Sequence, residues 1–166
     1  TGFENNIPKL KNVKFIKIDI NNKKKLLLKT KNIKVDYIFH FAACVGVKRT
    51  LKMPLKVLED IEGFKNIFYL AKSKKVKRLF FSSSSEVYGE GKGYAQNEDK
   101  TPLNSRLPYA IVKNIGEAFC KSYKKEFGIN YTIFRLFNTY GANQSDNFVI
   151  SKFLKKEINK KEKIIY

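Results

Sequence analysis

Tyr37-Ile38-Phe39-His40-Phe41-Ala42-Ala43 is the stretch that decides the fold. It is apolar at alternate positions of both parities, so neither side of the strand is set aside for water. A strand with one solvated face alternates between apolar and polar residues, whereas a strand of a parallel sheet covered on both sides does not. Val35 to Ala43 is therefore predicted to be a strand of a parallel sheet, closed over on both faces.

Working outward from it, the chain alternates strand and helix. Val13 to Ile20 is apolar and β-branched and ends in Asp19-Ile20, the pattern of a strand, with a helix following around Lys23 to Thr30. From Pro54 to Lys72, Val57, Ile61, Phe64, Phe68 and Ala71 recur at three and four, which predicts one amphipathic helix. Val76 to Ser82 is the third predicted strand. Pro108 to Phe127 is a long helix with Val112, Ile115, Phe119 and Tyr123 on its packing stripe, stopped by Gly128. Tyr131 to Phe137 is the fourth strand. A polar loop after Gly141 leads to a helix from Asn147 to Asn159, and another strand begins at Ile164-Ile165-Tyr166. Such alternation argues for an α/β domain with a mostly parallel sheet. Asp19, Ala42, Ala43, Ser82 to Glu86 and Asn138 all fall at carboxyl ends of strands, the edge where open parallel sheets hold ligands.

With 166 residues, 43% of them hydrophobic, one domain with a real core is expected. No apolar run reaches the roughly 18 residues of a membrane span, no signal-peptide pattern opens the chain, and a cytoplasmic protein is expected. Cys44 and Cys120 have no CxxC or paired histidine beside them, so buried free thiols are expected and no metal site. The net charge of +19 raises the question of nucleic acid. Lys23-Lys24-Lys25, Lys74-Lys75, Lys124-Lys125 and Lys160-Lys161 are spread along the chain without interleaved aromatics. Together with abundant Asn and Ile they fit an AT-rich coding sequence better than one basic face, so a nucleic-acid partner is not expected.

The chemistry sits in Ser82-Ser83-Ser84-Ser85-Glu86-Val87-Tyr88-Gly89 and in Pro108-Tyr109-Ala110-Ile111-Val112-Lys113. Tyr109 and Lys113 are four apart and share one helix face. An ammonium beside a phenol lowers the phenol's pKa from about 10, which would let Tyr109 accept a proton near neutral pH. The serine run can supply a hydroxyl. Read plainly, it is also a solvated strand end, and His40, inside its strand, is a core histidine before it is a catalytic base.

At these residues the chain resembles the extended short-chain dehydrogenase/reductases, specifically the NAD-dependent epimerase/dehydratase family that includes the UDP-glucose 4-epimerases. The resemblance implies a Rossmann-type, doubly wound, mostly parallel sheet. Asp19-Ile20 looks like the pair that contacts the adenine of NAD, and Phe41-Ala42-Ala43 like the strand end that passes under the cofactor. Ser84 matches the catalytic Ser/Thr, and Tyr109 and Lys113 match the Tyr-x-x-x-Lys pair. Arg135-Leu136-Phe137-Asn138-Thr139-Tyr140-Gly141 matches the segment whose Phe, here Phe137, lies near the nicotinamide and whose Asn, here Asn138, contacts the sugar nucleotide. Ser82 and Asp60 fall on the cofactor side, with Asp60 standing where the family usually has Asn.

The family's Gly-rich pyrophosphate turn and the acidic ribose contact about 20 residues further on do not occur in the chain. It is therefore expected to be an internal fragment, truncated at both ends, lacking the first two strands and most of the sugar-binding lobe. Residues 1–145 would be a partial NAD-binding domain and 146–166 the start of the substrate-binding region. Thr1-Gly2-Phe3-Glu4-Asn5 resembles the loop after the second strand, so the strand at Val13 to Ile20 should be poorly anchored or re-paired. The fragment alone is expected to be inactive.

The implied reaction has Tyr109, held by Lys113, take a sugar hydroxyl proton while hydride goes to NAD, with Ser84 sharing the proton and substrate contact made by Ser84, Tyr109 and Asn138. Glu86 marks the branch. A 4-epimerase acting on a UDP-hexose is one reading; a 4,6-dehydratase or decarboxylase using Glu86 as acid/base is another; a non-catalytic basic binding module is a third. Ser85, where one dehydratase subgroup has Asp, disfavours dTDP-glucose-type dehydration. The helices at Pro54 to Lys72 and Pro108 to Phe127 resemble the pair through which the family forms homodimers, although their apolar stripes would equally serve sheet packing.

Overall fold

A computed structural model describes residues 7–158 apart from 92, 94, 143, 146 and 147. The expected loop at Thr1 to Asn5 and the strand at Ile164 to Tyr166 lie outside the described residues. Three parallel strands, β1 (Tyr37–His40), β2 (Arg78–Ser84) and β3 (Tyr131–Leu136), lie side by side in that order. Ile38 pairs with Leu79 and His40 with Phe81, while Phe81 pairs with Ile133 and Ser83 with Arg135. The helices are α1 (Lys23–Thr30), α2 (Val47–Lys52), α3 (Pro54–Leu58), α4 (Asp60–Ser73), α5 (Pro108–Phe127) and α6 (Val149–Ile158). The architecture is α/β with a parallel sheet, as the sequence predicts.

The helix α5 has the predicted bounds, and local chemistry explains both ends. Pro108 occupies the first turn, where no amide partner is needed. Gly128 adopts the left-handed conformation (φ 70°), and its amide donates to the Lys124 carbonyl at 3.0 Å. Against β2 the helix comes very close. A Cβ on Gly116 would overlap the Phe81 ring, so glycine is what lets that ring seat against the helix. Phe64 of α4 meets Phe81 edge-on at 5.3 Å between centroids. Ala71 and Phe68 of α4 join Leu79, Val112 and Cys120 in the same core.

Three expectations are corrected. The predicted helix from Pro54 to Lys72 breaks at Glu59, whose amide is shared between the Leu55 and Val57 carbonyls, so that α4 starts afresh at Asp60. The periodicity runs through the break because both pieces face the same core. Second, Val13 to Ile20 is not a strand in the structure. A strand requires a neighbour for its ladder, and this segment is instead held at its end, where the Asn66 Nδ2 donates to the Ile20 and Asn21 carbonyls at 2.9 and 3.1 Å. A Cβ on Gly63 would come within 2.8 Å of the Asn21 side chain, so α4 presses directly on that turn.

The third correction concerns cover. Among the described residues β1 is closed over on one face only: Ile38 and His40 point into the helices, whereas Tyr37 and Phe39 are 54% and 61% exposed. On that open side the Phe39 and Phe80 rings stack at 4.3 Å, and Phe134 continues the row at 6.0 Å from Phe80 and 6.3 Å from Phe41. Stacking of this kind withdraws part of each ring from water without a second layer.

Candidate functional site

Tyr109 and Lys113 lie one turn apart on α5, facing the carboxyl end of β2. The Lys113 side chain is buried, and its Nζ donates to the Ser82 carbonyl at 2.6 Å. It also lies 5.7 Å from the Tyr109 ring centre. Burial lowers the ammonium's pKa to about 8, and the Asp60 carboxylate opposes that fall. Ser84, at the end of β2, lies beside the Tyr109 phenol and favours its ionised form, and its Oγ accepts the Glu86 amide at 3.2 Å, opening a short 3₁₀ turn over Ser85–Tyr88. Glu86 itself is exposed.

The phenol departs from expectation. Tyr109 is held above its ordinary value, first by burial and then by the charges or thiol of Glu86, Asp60 and Cys44, with Ser84 acting the other way. Lys113 spends its hydrogen bond on the Ser82 carbonyl, and desolvation of the half-buried phenol outweighs the pull of a nearby cation.

Behind the pair lies a network that sequence reasoning did not find. Glu117, fully buried one turn beyond Lys113, accepts from Ser83 Oγ at 2.6 Å. It also accepts a two-pronged ion pair from Arg135 of β3, with Nε and Nη2 at 2.9 and 2.8 Å. Arg135 Nη1 continues to the Tyr88 hydroxyl at 3.1 Å and the Glu98 carbonyl at 2.8 Å. Arg135 is thus committed to tying β2, β3 and α5 together, and Tyr88 with it. The one available signal was the spacing of Glu117, four after Lys113 on the buried stripe.

Asp60 is half-buried, and its Oδ2 accepts the Cys44 amide at 2.7 Å; burial raises its pKa while the Cys44 amide, Lys113 and Arg49 lower it. His40 is buried with its ring edge-on to Phe64 at 5.4 Å between centroids. Burial and the Lys113 charge push it down to about 4, and its Nε2 finds no hydrogen-bond partner among the described residues, which marks a neutral core histidine. Cys44 and Cys120 are buried free thiols, and burial with Glu117 nearby pushes Cys120 up to about 12.

The remaining expected residues outline the edge. Asp19 is exposed and its carboxylate accepts the Asn21 amide at 3.0 Å; Ile20 packs against the core. Phe41 and Ala42 are exposed and Ala43 half-buried, just past β1, while Phe137 and Asn138 are exposed just past β3. The structure thus brings Tyr109, Lys113, Ser82, Ser84, Glu86 and Asp60 together and leaves Asp19, Phe137 and Asn138 on the flanks. Among the described residues no group of three acidic, Cys or His side chains could hold a metal, and no helix is long and apolar enough to cross a membrane.

A parallel α/β sheet presenting a tyrosine, a lysine one turn on and a serine at one strand's carboxyl end defines an extended short-chain dehydrogenase/reductase. More narrowly, the chain belongs to the NAD dependent epimerase/dehydratase family, an enzyme family whose model matches residues 2–166. It is 33% identical to a UDP-N-acetyl-alpha-D-glucosaminuronate decarboxylase of Bacillus cytotoxicus over 79% of this chain and 43% of that protein. In structure it is similar to the UDP-N-acetylglucosamine 4-epimerase of Methanobrevibacter ruminantium in complex with UDP-N-acetylmuramic acid (TM-score 0.85, 32% identity, 97% of this chain and 52% of that one). It is also similar to the Thermus thermophilus UDP-glucose 4-epimerase in complex with NAD (TM-score 0.89, 25% identity, 97% and 53%). The chain spans about half the length of these relatives.

Proposed function

We propose that the protein is a nucleotide-sugar 4-epimerase acting on a UDP-hexose with NAD as its cofactor. The observation that carries this reading is the assembly of Tyr109, Lys113 and Ser84 around the end of β2. The two solved epimerases it resembles add support. The donor set fits a dinucleotide: a carboxylate at Asp19 and an apolar shelf at Ile20 suit an adenine, Phe41, Ala42 and Ala43 leave an open strand end, and Ser82, Asp60, Lys113 and Phe137 suit the nicotinamide half. NAD, when bound, would take up and return the hydride at the sugar carbon. Tyr109, reacting as the phenolate, would accept the proton of the sugar hydroxyl and give it back, Ser84 would share that proton, Asn138 would hold the substrate, and the Lys113 ammonium would stabilise the phenolate. Residues 1–145 would serve the cofactor and 146–166 open the substrate-binding region. Exposed Leu55 and Leu58 on α3 and Ile111 on α5 are apolar enough to join two copies in a homodimer.

A second reading has a specific observation behind it. Glu86 is two residues after Ser84, acts on the Tyr109 phenol, and is exposed at the carboxyl end of β2. With the decarboxylase relative, this favours decarboxylation or dehydration through Glu86 as acid/base. The test incubates the full-length polypeptide with UDP-glucose, UDP-N-acetylglucosamine and UDP-glucuronate in turn, with products read by proton NMR. A C4 epimer absent with Tyr109→Phe bears out the epimerase reading. A 4-keto-6-deoxy sugar or a pentose moves it to Glu86, and no turnover of any of them overturns both.

A further inference from the structure

Lys113 and Glu117 stand one turn apart on α5, and each is bonded to one of two successive residues of β2. Lys113 Nζ donates to the Ser82 carbonyl at 2.6 Å, and Ser83 Oγ donates to Glu117 Oε1 at 2.6 Å. Between them Gly116 lets the helix come down on the Phe81 ring. That apolar contact sets how near α5 lies to β2, but not where it stands along the strand, because burial is non-directional. Hydrogen bonds are directional and short in range, so the two bonds fix that position.

Glu117 is fully buried. A buried ion pair is often matched in stability by apolar side chains of similar volume, so stability alone does not account for the glutamate. Its surroundings hold the carboxylate in one orientation. Arg135 Nε and Nη2 grip the two oxygens at 2.9 and 2.8 Å, and Arg135 Nη1 is fixed from the far side by the Tyr88 hydroxyl and the Glu98 carbonyl at 3.1 and 2.8 Å. In that orientation the carboxylate meets Ser83, whose neighbour Ser84 lies beside the Tyr109 phenol. Tyr109 is two turns before Glu117 on the same helix, so a slide of α5 along β2 alters its separation from Ser84.

We propose that Glu117 is a positioning residue: by holding Ser83 it fixes α5 along β2, and so sets the Tyr109 phenol against the Ser84 hydroxyl and Lys113 against the Ser82 carbonyl. The inference deepens the functional reading, and its consequence for turnover rests on Tyr109 and Ser84 handling the substrate's proton. Glu117 acts through Ser83 and the helix, and Arg135 acts through Glu117.

The test is Ser83→Ala in the full-length polypeptide, which removes the bond to Glu117 and leaves the Glu117 and Arg135 ion pair whole. With the sugar nucleotide that the wild type turns over, kcat is expected to fall about tenfold or more while KM changes less than about threefold, because a small misplacement weakens the chemical step more than binding. The second readout needs no turnover. By NMR of 13Cε-lysine, with the Lys113 signal assigned by its loss in Lys113→Met, the Lys113 midpoint is expected to rise from about 8 toward the ordinary 10.5. A rise of about half a pH unit or more is expected, since a helix free to slide lets water reach the ammonium. Ser83→Cys, a weaker donor, is expected to fall between the two on both readouts, and it takes the place of Ser83→Ala should that variant not fold. Val76→Ala, in the core just before β2, is the control: it lowers stability through a cavity and is expected to leave kcat and the midpoint in place. An unchanged kcat or an unmoved midpoint in Ser83→Ala, or an equal change in Val76→Ala, overturns the proposal. If the wild type turns over no sugar nucleotide, the functional reading falls, and the midpoint alone decides whether Glu117 places the helix.

Discussion

The middle and the flanks of the carboxyl edge are built differently. In the middle, β2 and α5 are locked by charge-assisted hydrogen bonds: Lys113 to the Ser82 carbonyl, and Ser83, Glu117 and Arg135 in one network. On the flanks, Asp19 and Phe137 sit exposed, and the hydrogen bond of Asp19 serves its own turn. The difference teaches that this stretch of chain fixes the surroundings of Tyr109 and Lys113 by its own hydrogen bonds, whereas the residues we propose for cofactor and substrate contact are exposed and unheld by the rest of the fold. Interlocked side chains are costly to disturb, because removing one member leaves another buried and unpaired.

The sharpest way to break the comparison is Glu117→Gln. It leaves Arg135 facing a neutral amide inside the network and is expected to cost about 3–5 kcal/mol in urea unfolding. A loss below about 1 kcal/mol would mean that the middle is no better fixed than the flanks. Next comes acid. His40 has a folded pKa of about 4 against 6.5 unfolded. Between those values the unfolded chain binds more protons, so its contribution is present above pH 6.5 and lost as the pH falls toward 4. The loss amounts to about 3 kcal/mol. His40→Leu should flatten that slope in urea melts taken from pH 7 to 4, and an unchanged slope would place the acid sensitivity elsewhere.

Much of this was readable from the residues, for reasons that also explain what was not. The helix from Pro108 to Phe127 announces itself because both ends are local: a proline that needs no partner and a glycine that turns left-handed. Tyr109 and Lys113 share a face by helical spacing alone. The break at Glu59 was hidden because apolar periodicity reports which face is buried, and both pieces bury the same one. Glu117 was missed because a glutamate on a helix reads as solvent-facing, and its partner Arg135 becomes a neighbour only in the fold. The apolar run at Tyr37 to Ala43 told that both faces favour burial, not what would cover each. Val13 to Ile20 has the composition of a strand, but a ladder also depends on a neighbour, which no local pattern supplies.

Close packing in the middle can be tested without charge. Gly116→Ala would drive a methyl into the Phe81 ring, and overpacking of this kind is expected to cost about 1–3 kcal/mol. A smaller loss would show α5 free to lift off β2, with Tyr109 and Lys113 moving along with it.

The smallest effects belong to the flanks, and there the comparison can be sharpened. Asp19→Ala removes only an exposed hydrogen bond to the Asn21 amide, and Phe137→Ala truncates a ring that is 62% exposed. Each is expected to change stability by less than about 0.5 kcal/mol. If both hold contacts to a bound dinucleotide, the same substitutions in the full-length polypeptide weaken NAD binding by calorimetry while leaving the melting curve in place. In the middle, a substitution that removed the proposed activity would also break hydrogen bonds that hold the fold. On the flanks stability and binding separate, so a loss of binding there can be read as a lost contact. A stability loss on the flanks as large as that of Gly116→Ala would show that they too are built into the fold.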